Sequence, residues 1–146
     1  MSKSMEINSK RQGACLCGAV TIVANQASNH VGACHCGSCR KWGGGPFVEI
    51  ECGPEVEFTG EENISVYNSS DWAERGFCKL CGTHLFYRIK ENKSHHMPAG
   101  LFKEDSDFMI KRQVFIEEKP QYYNFAEDTE NLTGAELFAM FAPPEK

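Results

Sequence analysis

The sequence predicts a mainly β protein of short antiparallel strands organised around clusters of cysteine, with a short helix at the C-terminal end. Three observations carry this expectation. Runs of β-branched and aromatic residues of strand length recur between Gly, Pro and Asn breaks. Seven of the eight cysteines fall into three tight groups. Helical periodicity is confined to the tail.

In chain order, residues 1–12 read as a polar lead-in that joins a strand late, through Ile7. Gly13-Ala14-Cys15-Leu16-Cys17-Gly18 follows as a tight turn, whose bracketing glycines let the backbone bend around an ion held by two thiols. Residues 19–24 form a β-branched strand, 25–29 its turn, and 30–33 the returning strand of a hairpin that leads into Cys34-His35-Cys36-Gly37-Ser38-Cys39. The run Gly43-Gly44-Gly45-Pro46 is expected to hold no regular structure.

Residues 47–51, 56–59 and 64–67 give three further strands. Phe77-Cys78-Lys79-Leu80-Cys81-Gly82 has the form of a zinc knuckle between two strands, the second being Leu85-Phe86-Tyr87. Glu104 to Asp107 suits a helical turn, and residues 114–117 read as a last strand ended by Pro120. In the tail, Thr133 and Glu136 form a capping box ahead of Leu137, Met140 and Phe141 on one helical face. No repeat or linker divides the chain, so residues 1–146 are expected to be a single domain.

Composition bounds the function. A chain of 146 residues can bury a core without depending on metal, and 41% hydrophobic with 24% charged residues is ordinary for a globular protein. The net charge of -5 argues against nucleic acid, which calls for a clustered surplus of Lys and Arg. No apolar run is long enough to span a bilayer and no secretory h-region opens the chain, which predicts a cytoplasmic protein without membrane partners. In that reducing compartment clustered cysteines are metal ligands rather than disulfides.

Four tetrahedral positions close a structural zinc, and Cys15, Cys17, Cys78 and Cys81 supply four thiols. Cys34, Cys36 and Cys39 then remain as a three-thiol set that leaves one position open for chemistry. Spacing also allows Cys34 and Cys36 to join Cys78 and Cys81, or Cys52, His30 or His35 to complete the second set.

Three segments in this order, Gly13-x-Cys15-x-Cys17-Gly18, Cys34-His35-Cys36-x-x-Cys39-Arg40-Lys41 and Phe77-Cys78-x-x-Cys81-Gly82, resemble the glutathione-dependent formaldehyde-activating enzyme family, which includes the centromere protein V type. The segment Phe115-Ile116-Glu117-Glu118-Lys119-Pro120 with Tyr122 and Tyr123 is similar to that family's final strand, so the likeness covers roughly residues 13–125. The resemblance implies a β-tent fold with two zinc ions per chain. One would be closed by Cys15, Cys17, Cys78 and Cys81; the other would be held by Cys34, Cys36 and Cys39 with an exchangeable fourth position. It further implies a carbon-sulfur lyase that combines glutathione with formaldehyde to give S-hydroxymethylglutathione.

On this reading Cys34, Cys36 and Cys39 carry the catalytic centre, and the partner is a small thiol, glutathione first. Arg40 and Lys41 either offset thiolate charge and bind a carboxylate, or are simply exposed. Gly43 to Gly45 suit a surface loop, Trp42 a core or rim aromatic and Cys52 a small buried or edge residue. None of His30, His35, His84, His95 and His96 has a carboxylate partner that sequence can identify. The competing expectations are a zinc-stabilised binding module and a thiol or metal sensor; a homo-oligomer is compatible with each.

Overall fold

The structure, a computed structural model, describes residues 5–141. The strands are β1 (Asn8–Ala14), β2 (Thr21–Ser28), β3 (His30–Cys34), β4 (Phe47–Gly53), β5 (Val56–Thr59), β6 (Ile64–Asn68), β7 (Ala73–Cys78), β8 (His84–Ile89), β9 (His95–Pro98), β10 (Met109–Val114) and β11 (Glu130–Leu132). The helices are α1 (Gly37–Gly43) and α2 (Gly134–Phe141). The described chain is therefore mainly β. It divides into two compact units, Met1–His30 with Glu49–Phe108, and Val31–Val48 with Met109–Lys146.

In the first unit β2 pairs antiparallel with β1 and β5, so that Thr21 lies opposite both Ala14 and Thr59. Strands β4, β9, β8, β7 and β6 follow one another in a second antiparallel array. The period-2 alternation of β2 buries Ile22 and Ala24 while Thr21 faces water, and Ile50, Leu85, Phe86 and Met97 are likewise buried. Gly76 pairs with Phe86 across β7 and β8, and its missing side chain makes room for the Phe86 ring. The next pair is Phe77 with His84, which leaves Leu85 as a bulge one step before Cys78.

Buried Arg11 ties the ends of this unit together. Its guanidinium makes two bonds to Asp107, at 3.0 and 2.9 Å, donates from Nε to the Ala27 carbonyl at 3.2 Å, and lies 4.9 Å from the Phe108 ring centre. The acidic stretch at 104–107 is thus an anchor, with one turn closed by Phe108 N–H on the Asp105 carbonyl, rather than a helical segment.

Several expected boundaries move. β1 starts at Asn8, inside the supposed lead-in, because Asn8 and Ser9 pair with Ser28 and Ala27. That pairing extends β2 through the expected turn at 25–29, so β2 folds back on β1 and not on β3. β9 was hidden in a short polar stretch, His95-His96-Met97-Pro98, whose alternate residues His95 and Met97 are buried.

In the second unit β10 lies between β3 and β11, pairing parallel with β11 from Arg112 opposite Glu130 to Val114 opposite Leu132. β10 stops at Val114, where 114–117 was expected to be extended, because Phe115 takes the left-handed conformation (φ 55°) and opens a 3-10 turn over Ile116–Glu118. The Phe115 ring then occupies the space over Gly134. Helix α2 begins with both bonds of the capping box, Glu136 N–H to Thr133 Oγ1 at 3.0 Å and Thr133 N–H to Glu136 Oε1 at 2.8 Å. Of the expected face Leu137 is half-buried and Met140 is exposed; Phe138, as exposed as Met140, meets Phe115 edge-on at 5.7 Å. The side chain of Phe141 lies outside the described residues.

The tail is also not the sole helix. Cys36 caps α1, which runs through the second half of the cysteine segment and ends on Gly44 in the left-handed conformation (φ 87°). No helix among the described residues is long and apolar enough to cross a membrane.

The Gly76 and Phe86 contact yields a test. Gly76→Ala drives a methyl group into a fully buried ring, so urea denaturation should show a loss of about 1–3 kcal/mol.

Candidate metal centres

The first centre is built from two turns of the first unit. Cys15 and Cys17 lie on the connection from β1 to β2, a turn closed by Cys15 N–H on the Val20 carbonyl (3.0 Å) and Gly18 N–H on the Cys15 carbonyl (3.1 Å). Gly18 needs φ 81° there, which is why glycine follows the second thiol. Cys78 and Cys81 lie on the connection from β7 to β8, where Gly82 at φ 82° donates to the Cys78 carbonyl at 2.7 Å. Leu16 N–H to Thr83 Oγ1, at 3.0 Å, joins the two turns.

The four sulfurs lie within 4.8 Å of one another. Cys15 to Cys17 is 3.7 Å and Cys17 to Cys78 is 3.9 Å. Disulfides would need about 2.05 Å. A tetrahedron with zinc–sulfur bonds of about 2.3 Å has edges of about 3.8 Å, so the spacing fits a metal and not an oxidised pair. The Thr83 hydroxyl, 3.2 Å from Cys81 Sγ, and the Thr83 backbone pull the Cys81 thiol down to about 5, and the Val20 amide points at Cys15 Sγ at 3.4 Å. Two of the four sulfurs thus already receive the donors that a thiolate wants.

The second centre is local to one stretch of the second unit. Cys34 closes β3, Cys36 caps α1, and Cys39 is buried in the first turn of α1, with its amide donating to Cys36 Sγ at 3.4 Å. Their three sulfurs also lie within 4.8 Å of one another. Hydrogen bonds from the Cys34 and Cys39 thiols hold Cys36 well below the ordinary thiol range, with the amides of Cys39 and Ser38 adding to the effect. Cys34, as the donor to Cys36, is pushed up correspondingly. Such a set ionises one thiol easily and the others reluctantly, unless a cation replaces the shared protons.

Among the described residues no fourth His, Cys, Asp or Glu donor joins these three thiols. His35, the nearest in sequence, is fully buried with both ring nitrogens engaged, Nδ1 to the Tyr123 hydroxyl at 2.9 Å and Nε2 to Gln113 Oε1 at 2.8 Å. Cys52 is buried in the first unit beside the Ile50 carbonyl and belongs to neither group; burial raises its thiol further. His30 Nε2 is buried without a partner and is likewise in neither group.

Arg40 is half-buried and donates from Nε to the His35 carbonyl at 2.9 Å, while Lys41 is exposed. Trp42 meets Phe47 edge-on at 5.6 Å. His96 does have a carboxylate partner, Glu49 at 3.1 Å, through a cross-strand pairing that sequence could not reveal. Gln113 and Thr129, which continue the His35 contacts, carried no signal in the sequence.

The profile of the glutathione-dependent formaldehyde-activating enzyme family matches residues 10–118. The chain belongs to this family. As a member of the glutathione-dependent formaldehyde-activating enzyme family it is 36% identical, over 127 residues, to an uncharacterized lyase of Schizosaccharomyces pombe, covering 86% of this chain and 93% of that one. It is 34% identical over 84 residues to a Podospora anserina protein provisionally named as a glutathione-dependent formaldehyde-activating enzyme, covering 53% of this chain and 38% of that longer one. A crystal structure of a Rhodobacter sphaeroides protein has the same fold, with a TM-score of 0.54 at 20% identity over 84% of this chain and 99% of that one.

The four-thiol geometry predicts a contrast between two buried cysteines. Cys78→Ser should lower the Tm and abolish its dependence on added zinc, whereas Cys52→Ser should leave that dependence intact. Differential scanning calorimetry with and without chelator measures both.

Proposed function

We propose that this family member is a zinc-dependent enzyme of carbon-sulfur lyase type, acting on the adduct of a small thiol and an aldehyde, with glutathione and formaldehyde as the first pair. The observation that carries this reading is the inequality of the two centres: one group offers four thiols, the other three and no fourth protein donor among the described residues. The names of the matched family and of the two relatives support the same chemistry.

Cys15, Cys17, Cys78 and Cys81 would hold a closed structural zinc, and Cys34, Cys36 and Cys39 a second one. Held by Cys34, Cys36 and Cys39, a zinc would supply a position for a substrate thiol and would lower that thiol's pKa, chemistry that suits thiol exchange better than hydrolysis. The chain's own residues do the rest. The amides of Ser38 and Cys39 stabilise Cys36 as thiolate. Arg40, oriented through its bond to the His35 carbonyl, and exposed Lys41 supply positive charge for the carboxylates of a peptide-like thiol. His35 is withheld from the metal by Gln113 and Tyr123, which keeps the fourth position for substrate. The reading takes residues 1–146 as one cytoplasmic domain of β-tent type.

Metal analysis of the purified protein should return two zinc ions per chain, with a mild chelator removing one well before the other. Cys39→Ser should retain one zinc and a cooperative unfolding transition, yet lose thiol-dependent turnover by roughly 10²-fold or more. A single tightly held zinc in the wild type, or unchanged turnover in the folded variant, would sink the proposal.

A further inference from the structure

The segment that follows β10 holds the cysteine stretch at two points, one on each side of Cys36. His35 N–H donates to the Val114 carbonyl at 3.1 Å, and Gly37 N–H donates to Glu118 Oε1 at 2.8 Å, across 81 positions of chain. Beyond Gly37 the turn closes on Cys36 itself: Cys39 N–H points at Cys36 Sγ at 3.4 Å, and Arg40 N–H donates to the Cys36 carbonyl at 2.9 Å. The backbone that carries Cys36 is thus clamped from outside before it turns into the helix that carries Cys39.

Helix α1 needs that support. It is seven residues long, begins and ends on glycine and has no acidic residue in its own first turn, so propensity does little to hold it. Glu118 supplies the acceptor instead, and its own place is set by the 3-10 turn that Phe115 opens, with Glu118 N–H on the Phe115 carbonyl at 3.0 Å. Its neighbour Glu117 turns to the other helix, both carboxylate oxygens accepting from Gly134 N–H at the start of α2, at 3.1 and 3.2 Å. Two consecutive glutamates therefore serve two different helices. Resting on the reading of Cys34, Cys36 and Cys39 as ligands of a second zinc, we propose that Glu118 is a positioning residue of that centre: by holding the Gly37 amide it fixes where Cys36 and Cys39 present their sulfurs beside Cys34, and so how tightly the set binds metal. Glu118 is not in the ligand group itself, so its effect runs through the backbone.

Titration with cobalt(II) alone tests this without reference to turnover. In the full chain a mild chelator empties the three-thiol centre, while zinc retained at the four-thiol centre reports that each variant is folded. Wild type should then take up cobalt with the thiolate-to-cobalt charge transfer and visible bands of a tetrahedral ion. Glu118→Ala should weaken that uptake roughly 10- to 100-fold, the usual loss for a residue that orients ligands from outside. Glu118→Gln, which keeps an acceptor for the Gly37 amide, should recover most of it, and Glu117→Ala, which uncaps α2 from the same turn, should leave it unchanged. Wild-type uptake by Glu118→Ala, no recovery in Glu118→Gln, or an equal loss in Glu117→Ala overturns the proposal and leaves the second zinc standing. A wild type that takes up no metal beyond the four-thiol centre overturns the second zinc, and the role of Glu118 falls with it.

Discussion

Crowding of sulfur is the constraint on which the rest depends. Seven thiols are held in two groups with sulfurs inside 4.8 Å of one another, and the described cysteines are all free. Thiols in such numbers cannot all ionise together without a cation, and here the backbone has been bent to hold them close as free thiols. The bending explains much of the local sequence. Gly18 and Gly82 both take left-handed conformations directly after a thiol pair, and the β-bulge at Leu85 adjusts β8 just ahead of Cys78.

The cysteine groups were legible because ligand spacing is a local property: Cys-x-Cys and Cys-x-x-Cys put sulfurs on one turn whatever the remainder of the chain does. The knuckle between β7 and β8 and the capping box of α2 were legible for the same reason. Features that depend on distant partners were not. β2 runs to Ser28 only because Asn8 and Ser9 are there to pair with it, and β10 stops at Val114 because Phe115 turns to cover Gly134. Helix α1 was missed because glycine and cysteine are poor helix formers; the capping bond to Cys36 and the left-handed Gly44 define a helix that propensity would not.

His35 shows how residue type misleads without geometry. A histidine between two thiols invites assignment as a ligand, yet its ring is spoken for on both sides by residues 78 and 88 positions away in the chain. Sequence could only leave it beside Cys52 and His30 as a residue able to complete the second set. The structure supplies the reason: protein partners hold the ring at both nitrogens, which neutralises the most available nitrogen donor near an otherwise three-coordinate set.

The two centres also differ in what a metal could do for stability. Cys17 and Cys78 are 61 positions apart, so a shared metal closes a long loop and restricts the unfolded chain strongly. Cys34 to Cys39 spans a single turn that α1 and β3 already order, and closing it removes little freedom. A metal would therefore add more to stability at the first group than at the second. A staple would gain more from thiols placed far apart in sequence, so loop closure alone does not explain why these three are concentrated at one helix cap.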